Sequence, residues 1–495
     1  MWQKIKTALS KLSFRTGLIL LVLCLLFHGV AVGFFTIPLE GETKALLITI
    51  SFALKKDIPI LCCRHSWSQR SNEGEGLDKE DEKQKTSKTI TKRQKAMKRL
   101  FVLVALLATL SLSAQPLKRV HPKKVGMDAK RLEKIDDLMK EAIDNKDIPG
   151  AVVAVVKDGK LAYIKAFGNK SVYPEVVPMT ENTVFDLASC SKVVGTAMSM
   201  AHLLERGGYR LTDRVSMYIP DFQPYVDPET GKKTHIRIID LLTHSSGLPA
   251  YVSPATIIKK CGTADPDSLM NYICTMRREF RPTTDFRYSC LNFVTLQNVL
   301  QKITGEKLCD YAQKNIFDFL GMKNTTYNPT EKPEIMKLVA PTEKQSDGKC
   351  LLGEVHDPLA RVLNHGNSGN AGVFSNAEDL AILAAALMNE GEHYGKHVLG
   401  KLTIENMIRV PDEVSQLGRS VGWDNYSSYS SNNGDLLTPY KTFGHTGYTG
   451  PSITIDPVKK VAIIFLAHRV HPEDKGGVNR VRALVTNVIA GSIIE

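Results

Sequence analysis

FDLASCSKVVGTAMSM, residues 185–200, sets a serine, Ser189, three positions ahead of a lysine, Lys192, with a long apolar run behind them. Val193, Val194, Ala197, Met198, Ala201 and Leu204 recur at helical spacing and Gly207-Gly208 closes the pattern, which predicts a helix opened by the serine. Residues three apart on a first turn share a face, so the Lys192 amine is expected within reach of the Ser189 hydroxyl. Burial on an apolar helix and a positive helix N-terminus both disfavour the ammonium, which makes Lys192 a proton acceptor. The spacing alone is a weak signal. Ser346 to Lys349 repeats it in a Gly/Asp/Lys loop with no helical pattern behind it, and an N-cap serine with a snorkelling lysine reads the same way.

Outward from this stretch the chain is enclosed by strand signals. After a helical lead-in, DAKRLEKIDDLMKEAIDN (128–145), PGAVVAVVKDGKLAYIKAFG (149–168) gives two β-rich runs around Lys157-Asp158-Gly159-Lys160, a hairpin signal. A matching pair, PSITIDP (451–457) and KKVAIIFLAH (459–468), lies near the other end, followed by a helix from about Val478 to Ile489. The middle reads as helices joined by loops rich in Gly, Pro, Ser and Asn. Strands at both ends around a helical middle predict an α+β fold, an antiparallel sheet flanked by helices with an inserted α-helical lobe.

Two further polar sites follow in order. FRYSCLNFVTLQNVLQKITG (286–305) places Tyr288 ahead of a helix, and FGHTGYTGPSITIDP (443–457) places His445-Thr446-Gly447 ahead of a strand. The series Ser-x-x-Lys, Tyr-Ser-x, His-Thr-Gly between strand pairs resembles the serine β-lactamase and penicillin-binding-protein superfamily. Its class C β-lactamase, DD-peptidase and esterase branch is most similar, because that branch uses a tyrosine in the second motif. RLTDRVSMYIPDF (210–222), IRIIDLLTHSSGLP (236–249), NIFDFLGMKNTTY (315–327) and GNAGVFSNAEDLAIL (369–383) extend the resemblance from about Ile148 to the C-terminus. It implies a β-lactamase/transpeptidase-like fold in which Ser189 attacks a carbonyl carbon and is acylated, while Lys192 and Tyr288 share the proton work. A tyrosine serves as base only if cations such as Lys192 lower its pKa. The backbone N–H groups of Ser189 and Tyr448 would form the oxyanion hole, His445, Thr446 and Gly447 would border the substrate, and no metal or cofactor is implied.

Two departures bear on the substrate. Family lactamases carry lysine where this chain has His445, and that lysine helps to bind the carboxylate of penicillins and D-alanyl peptides; a histidine is largely neutral at neutral pH. On this reading protonating His445, or replacing it by lysine, should favour carboxylate-bearing substrates. The second motif normally ends in asparagine, but Cys290 stands there, a poor hydrogen-bond partner for a substrate amide, with Asn292 as a potential substitute. Both changes shift the expectation from antibiotic hydrolysis towards an esterase or peptidase. His244 lacks a second ligand at metal spacing and reads as a turn residue, and His356, Asp357 and His365 form a weaker metal candidate. Cys190 and Cys290 are expected near the nucleophile, either as free thiols or as a bridge; six cysteines follow Ala114, and their pairing is open.

The 495 residues are 43% hydrophobic and 23% charged, an ordinary globular composition. A formal charge of +12 suggests nucleic acid until it is located: much of it lies in a lysine-rich stretch from Lys79 to Arg99, which reads as a solvated linker or targeting flank. GLILLVLCLLFHGVAVGFF (17–35), after Lys4, Lys6, Lys11 and Arg15, is long enough to span a bilayer. MKRLFVLVALLATLSLSAQ (97–115) has the basic start, short apolar core and small-residue exit of a cleavable secretory signal. A span at 17–35 would set the basic flank of the signal on the wrong side, so the simplest division is an extension over 1–96 with a possible transmembrane segment, a signal peptide over 97–114 and a hydrolase domain over 115–495, exported to the periplasm or cell envelope. The expected partner is a small-molecule or peptidoglycan-derived substrate. The competing expectation is a catalytically weak module of the same fold that binds peptidoglycan.

Overall fold

The computed structural model describes residues 116–494. The segments expected to anchor or export the chain, 17–35 and 97–114, and the lysine-rich run lie outside these residues. By its internal contacts the chain divides into Met1–Ser113 and Ala114–Glu495, and the described residues belong to the second unit. Among them, no helix is long and apolar enough to cross a membrane.

A six-stranded antiparallel sheet organises the domain. Its strands are β1 (Gly150–Lys157), β2 (Lys160–Ser171), β3 (Val177–Pro178), β4 (Phe443–Thr446), β5 (Ser452–Asp456) and β6 (Val461–Ala467), in the order β4-β5-β6-β1-β2-β3. The expected hairpin joins β1 to β2, with Lys157 opposite Lys160 and positive φ at Asp158 and Gly159 (51° and 68°), the geometry of a tight two-residue turn. β1 lies in the sheet centre because the first and last parts of the chain meet there: Ala151 pairs with Ala467 and Val153 with Phe465.

Every residue of β1 is buried, and its period of two divides them between two cores. Ala151, Val153 and Val155 pack with Leu132, Ile135 and Met139, the latter two on helix α1 (Lys134–Asp144), and with Val485 and Ile489 of helix α5 (Asn479–Gly491). Val152, Ala154 and Val156 face the larger core, which takes in helices α2 (Met198–Glu205), α3 (Cys290–Thr304) and α4 (Ala377–Met388). Each wholly buried aliphatic side chain stabilises this three-layer arrangement by about 1.5–3 kcal/mol before entropic costs. The helical segments between β3 and β4 form the expected lobe, and β4 is left at the edge of the sheet beside the Ser189 segment.

The stretch that opened the sequence reading departs from one continuous helix. Ser189 sits in a 3-10 turn, Ala188–Cys190; a π-helical turn, Lys192–Ala197, follows; only then does α2 begin. The wider π turn accommodates a crowded contact, since a Cβ on Gly195 would meet the Tyr327 hydroxyl at 2.3 Å.

Candidate active site

Phe185 and Asp186 pair antiparallel with Phe374 and Ser375, and the Leu187 N–H donates to the Val373 carbonyl, so the chain enters the Ser189 turn pinned on both sides. Ala188 then takes φ 44°, a left-handed conformation that costs a non-glycine residue roughly 1–2 kcal/mol. Asp186 offsets it. One carboxylate oxygen accepts the Ala188 N–H at 2.8 Å, the other accepts the His356 N–H at 2.7 Å, and its carbonyl accepts the Thr449 hydroxyl at 2.8 Å. Asp186 thus ties together the serine turn, the 356 loop and the loop after His445-Thr446-Gly447. Its burial raises its pKa above the usual carboxylate value.

Lys192 is wholly buried, and its Nζ reaches three acceptors: Ser189 Oγ at 3.0 Å, the Asn370 carbonyl at 2.8 Å and Cys290 Sγ at 3.6 Å. Three acceptors suit an ammonium, which has three donors. Burial opposes the charge, but the acidic groups of Cys290 and Tyr288 facing it outweigh burial and raise the lysine above its ordinary pKa. This corrects the expectation that burial and the helix terminus keep the amine neutral. Tyr288 places its ring centre 5.1 Å from Lys192 Nζ, and its buried hydroxyl faces Ser189 and Lys192. Burial raises the phenol pKa, against the pull of Lys192, so the cations do not lower it as expected. With the lysine donating to Ser189 Oγ, the serine proton is free to point at the Tyr288 oxygen.

Ser189, Tyr288, His445, Thr446, Gly447 and Tyr448 border one cavity of about 660 Å3. Lys192 and Cys290 do not line it, which corrects the placement of Cys290 against substrate. Asn292 does not substitute either: it is buried, accepting from Ser246 Oγ at 2.6 Å and donating to His244 Nδ1 at 3.2 Å. His244 is a neutral buried residue at φ 58° whose ring lies 4.5 Å from that of Tyr288. All six described cysteines are free, so no bridge joins Cys190 to Cys290; the Cys190 thiol, pushed up to about 12 by burial, donates instead to the His445 carbonyl at 3.4 Å.

His445 is buried on β4, and desolvation, with Arg419 and Lys192 nearby, holds its pKa well below 6.5. Nδ1 lies 2.8 Å from the Thr446 carbonyl, which can only accept, so Nδ1 carries the proton and the unpartnered Nε2 is an acceptor. The expected role for a protonated His445 is thereby corrected: its polarity is opposite to that of a lysine. Gly447 is required by close approach, because a Cβ there would meet the Leu187 carbonyl at 2.4 Å. The loop after it is knit to α5 by Arg482, whose guanidinium donates to the carbonyls of Gly447 at 2.9 Å, Pro451 at 2.8 Å and Gly450 at 3.2 Å. Ser189 stands in the first turn of its short helix, where N–H groups have no intrahelical acceptor, and the Tyr448 N–H follows Gly447 at the cavity wall. The Tyr448 side chain is 57% exposed; its hydroxyl donates to Asp474 at 2.5 Å and its ring lies 4.4 Å from the Arg469 guanidinium.

His356 pairs with Glu343 at 3.0 Å while Asp357 accepts from Asn370 at 3.0 Å, so the two face different partners. Among the described residues no group of three or more His, Cys, Asp or Glu side chains is placed to hold a metal ion. Asp186, Arg419 and Arg482 escaped the sequence reading. For Arg482 a signal existed, an arginine within the apolar pattern of the last helix; for Arg419 and Asp186 the partners lie far away in sequence.

The site contains a serine hydroxyl held by a buried ammonium, an adjacent phenol and free backbone donors, the parts that acyl transfer requires. The Beta-lactamase family profile matches residues 135–487. A Salmonella agona protein provisionally named a D-alanyl-D-alanine carboxypeptidase is 31% identical over 399 residues, covering 75% of this chain and 91% of its own. Two solved structures share the fold: EstCE1, a hydrolase with promiscuous acyltransferase activity (TM-score 0.60, 21% identity, covering 73% of this chain and 99% of that one), and a class C β-lactamase (TM-score 0.57, 21% identity, 74% and 97%). The chain therefore belongs to the β-lactamase family, within the serine β-lactamase and penicillin-binding-protein superfamily, and is a serine hydrolase.

Proposed function

We propose that the protein is an exported hydrolase that forms an acyl-enzyme on Ser189 and acts on cell-envelope peptides or on related amides and esters. The observation that carries this reading is the 3.0 Å contact of Lys192 Nζ with Ser189 Oγ at the wall of a cavity. Ser189 Oγ bonds to the acyl carbon and its proton passes to the Tyr288 oxygen once the phenol has lost its own proton to solvent. Lys192 stays an ammonium and stabilises that phenolate. The Ser189 and Tyr448 N–H groups hold the carbonyl oxygen, the C–N or C–O bond breaks, and Tyr288 returns the proton to the leaving group; water then releases the acyl group. Because the phenol pKa is raised, kcat/KM climbs from pH 7 into the alkaline range.

The substrate class is supported by the carboxypeptidase names of the relatives. Export is supported by the signal-like 97–115, with 115–495 as the mature hydrolase domain and 1–96 as an extension that can carry an anchor at 17–35. Intact mass after incubation with a fluorophosphonate, and separately with a penicillin, tests the acyl-enzyme. The expected result is a single adduct on Ser189, absent in Ser189→Ala. A folded protein that takes neither reagent would leave the peptidoglycan-binding module as the better reading.

A further inference from the structure

At the end of the sheet away from Ser189 the chain gathers cations that acyl transfer does not use. Along β5, Ser452 stands opposite Thr446 and Asp456 opposite Val461, so the loop beside Ser189 and the turn after β5 leave opposite ends of the strand. Asp456 shapes that turn, its Oδ1 accepting the Val458 N–H at 2.9 Å and the Lys459 N–H at 3.0 Å. The Lys460 carbonyl accepts the Asp158 N–H at 3.0 Å, which locks the turn between β5 and β6 to the one between β1 and β2. Two adjoining hollows share Asp158 and Lys460; Lys118, Lys160 and Tyr394 border the first, and Lys157, Val458, Lys459 and Ile494 the second. Of these lysines Lys157 alone has a carboxylate partner among the described residues, Asp158 at 2.7 Å. Glu392, the other carboxylate here, is occupied by the Asn389 amide at 2.9 Å and the Gly395 N–H at 2.7 Å. Tyr394, Val458 and Ile494 are each more than half exposed.

Unpaired lysines with exposed apolar side chains among them suit an anionic bilayer: the lipid phosphates meet the ammonium groups within a Debye length, the aliphatic groups settle among the headgroups, and a tyrosine is at home at that interface. The path of the chain brings a bilayer to this end. The Tyr394 hydroxyl donates to the Pro116 carbonyl at 3.1 Å, and Lys118 borders the first hollow, so the domain begins here. In sequence the signal-like stretch ends at Ala114, two residues before Pro116, and cleavage after Ala114 would add one more ammonium, that of the new N-terminus. We propose that this lysine end docks on anionic lipid headgroups and holds the domain with Gly447 and Tyr448 at the end turned away from the membrane. The docking does not depend on the acyl-enzyme reading, since none of these residues borders the Ser189 cavity.

The test is lysine footprinting of the full-length chain reconstituted in vesicles, by reductive methylation with uncharged reagents and peptide mass spectrometry. In phosphatidylcholine vesicles containing about one third phosphatidylglycerol, Lys118, Lys160, Lys459 and Lys460 are expected to react at least about fivefold more slowly than in phosphatidylcholine alone. Lys140 and Lys337, exposed away from this end, should react alike in both. Salt at about 1 M should abolish the difference, because it shortens the screening length to about 3 Å. Lys459→Gln with Lys460→Gln should weaken docking by about 25-fold, roughly fivefold per lysine, and return Lys118 and Lys160 to their rates in phosphatidylcholine with the urea midpoint unchanged. Equal rates in the two lipids, or protection of Lys118 and Lys160 that survives the double variant, would overturn the proposal. Protection by soluble polyphosphate but not by the anionic vesicles would overturn it too, in favour of a polymeric anion as the partner.

Discussion

What His445 can do is decided by which of its nitrogens holds the proton. Nδ1 is committed to the Thr446 carbonyl, and two cations nearby oppose a charge on the ring. A lysine in its place would be a third cation in the same buried region, with no carboxylate of its own. His445→Lys is therefore expected to destabilise the fold by about 2–4 kcal/mol, read as a lower urea midpoint, instead of improving the handling of carboxylates. A variant as stable as the parent and more selective for acids would show that β4 has room for the charge. The spacing of Ser189 and Lys192, and the motifs around Tyr288 and His445, were legible because the chemistry is written within a few adjacent residues. Arg419 and Asp186 were not, since each acts through groups scattered along the chain: Asp186 needs His356 and Thr449, and Arg419 needs Phe286 and Tyr288.

Between Ala188 and Glu205 the apolar spacing announced a helix but could not show its change of pitch. A 3.6-residue pattern tolerates one extra residue over a single turn, and the glycine inside that turn packs against Tyr327, a neighbour from elsewhere in the chain. Gly195→Ala tests this. Helix propensity favours alanine by about 1 kcal/mol, whereas the clash with Tyr327 calls for about 1–3 kcal/mol of overpacking strain. Net destabilisation is expected in urea unfolding, and Tyr327→Phe in the same chain should recover part of it, because the Tyr327 hydroxyl is buried without a hydrogen-bond partner. If the glycine and double variants are equally unstable, the hydroxyl is not the obstacle.

At the scale of the molecule, the hairpin and terminal strands were legible because Lys157-Asp158-Gly159-Lys160 and the alternation in β1 are local signals. The registry that seats β1 against β6 is not local. Its end is fastened by His468, whose Nε2 donates to the Lys170 carbonyl of β2 at 2.8 Å and whose ring stacks on His471 at 5.4 Å. Burial depresses the His468 pKa to about 3. A lowered folded-state value means that its contribution is complete above the unfolded value near 6.5 and is lost as pH falls towards 3. The stability margin of the parent over His468→Gln should thus shrink by about 2–3 kcal/mol between pH 7 and pH 4.5. A margin independent of pH would mean that His468 is protonated without penalty. The seating of β1 also fixes when the domain can fold during synthesis. Residues 150–157 leave the ribosome long before the strand they need, residues 461–467, has been made. Until then β1, buried along its whole length in the finished sheet, has only a hairpin partner, so the nascent chain stays unfolded and threadable over that stretch, and release before residues 461–467 are made yields an open sheet edge prone to aggregate.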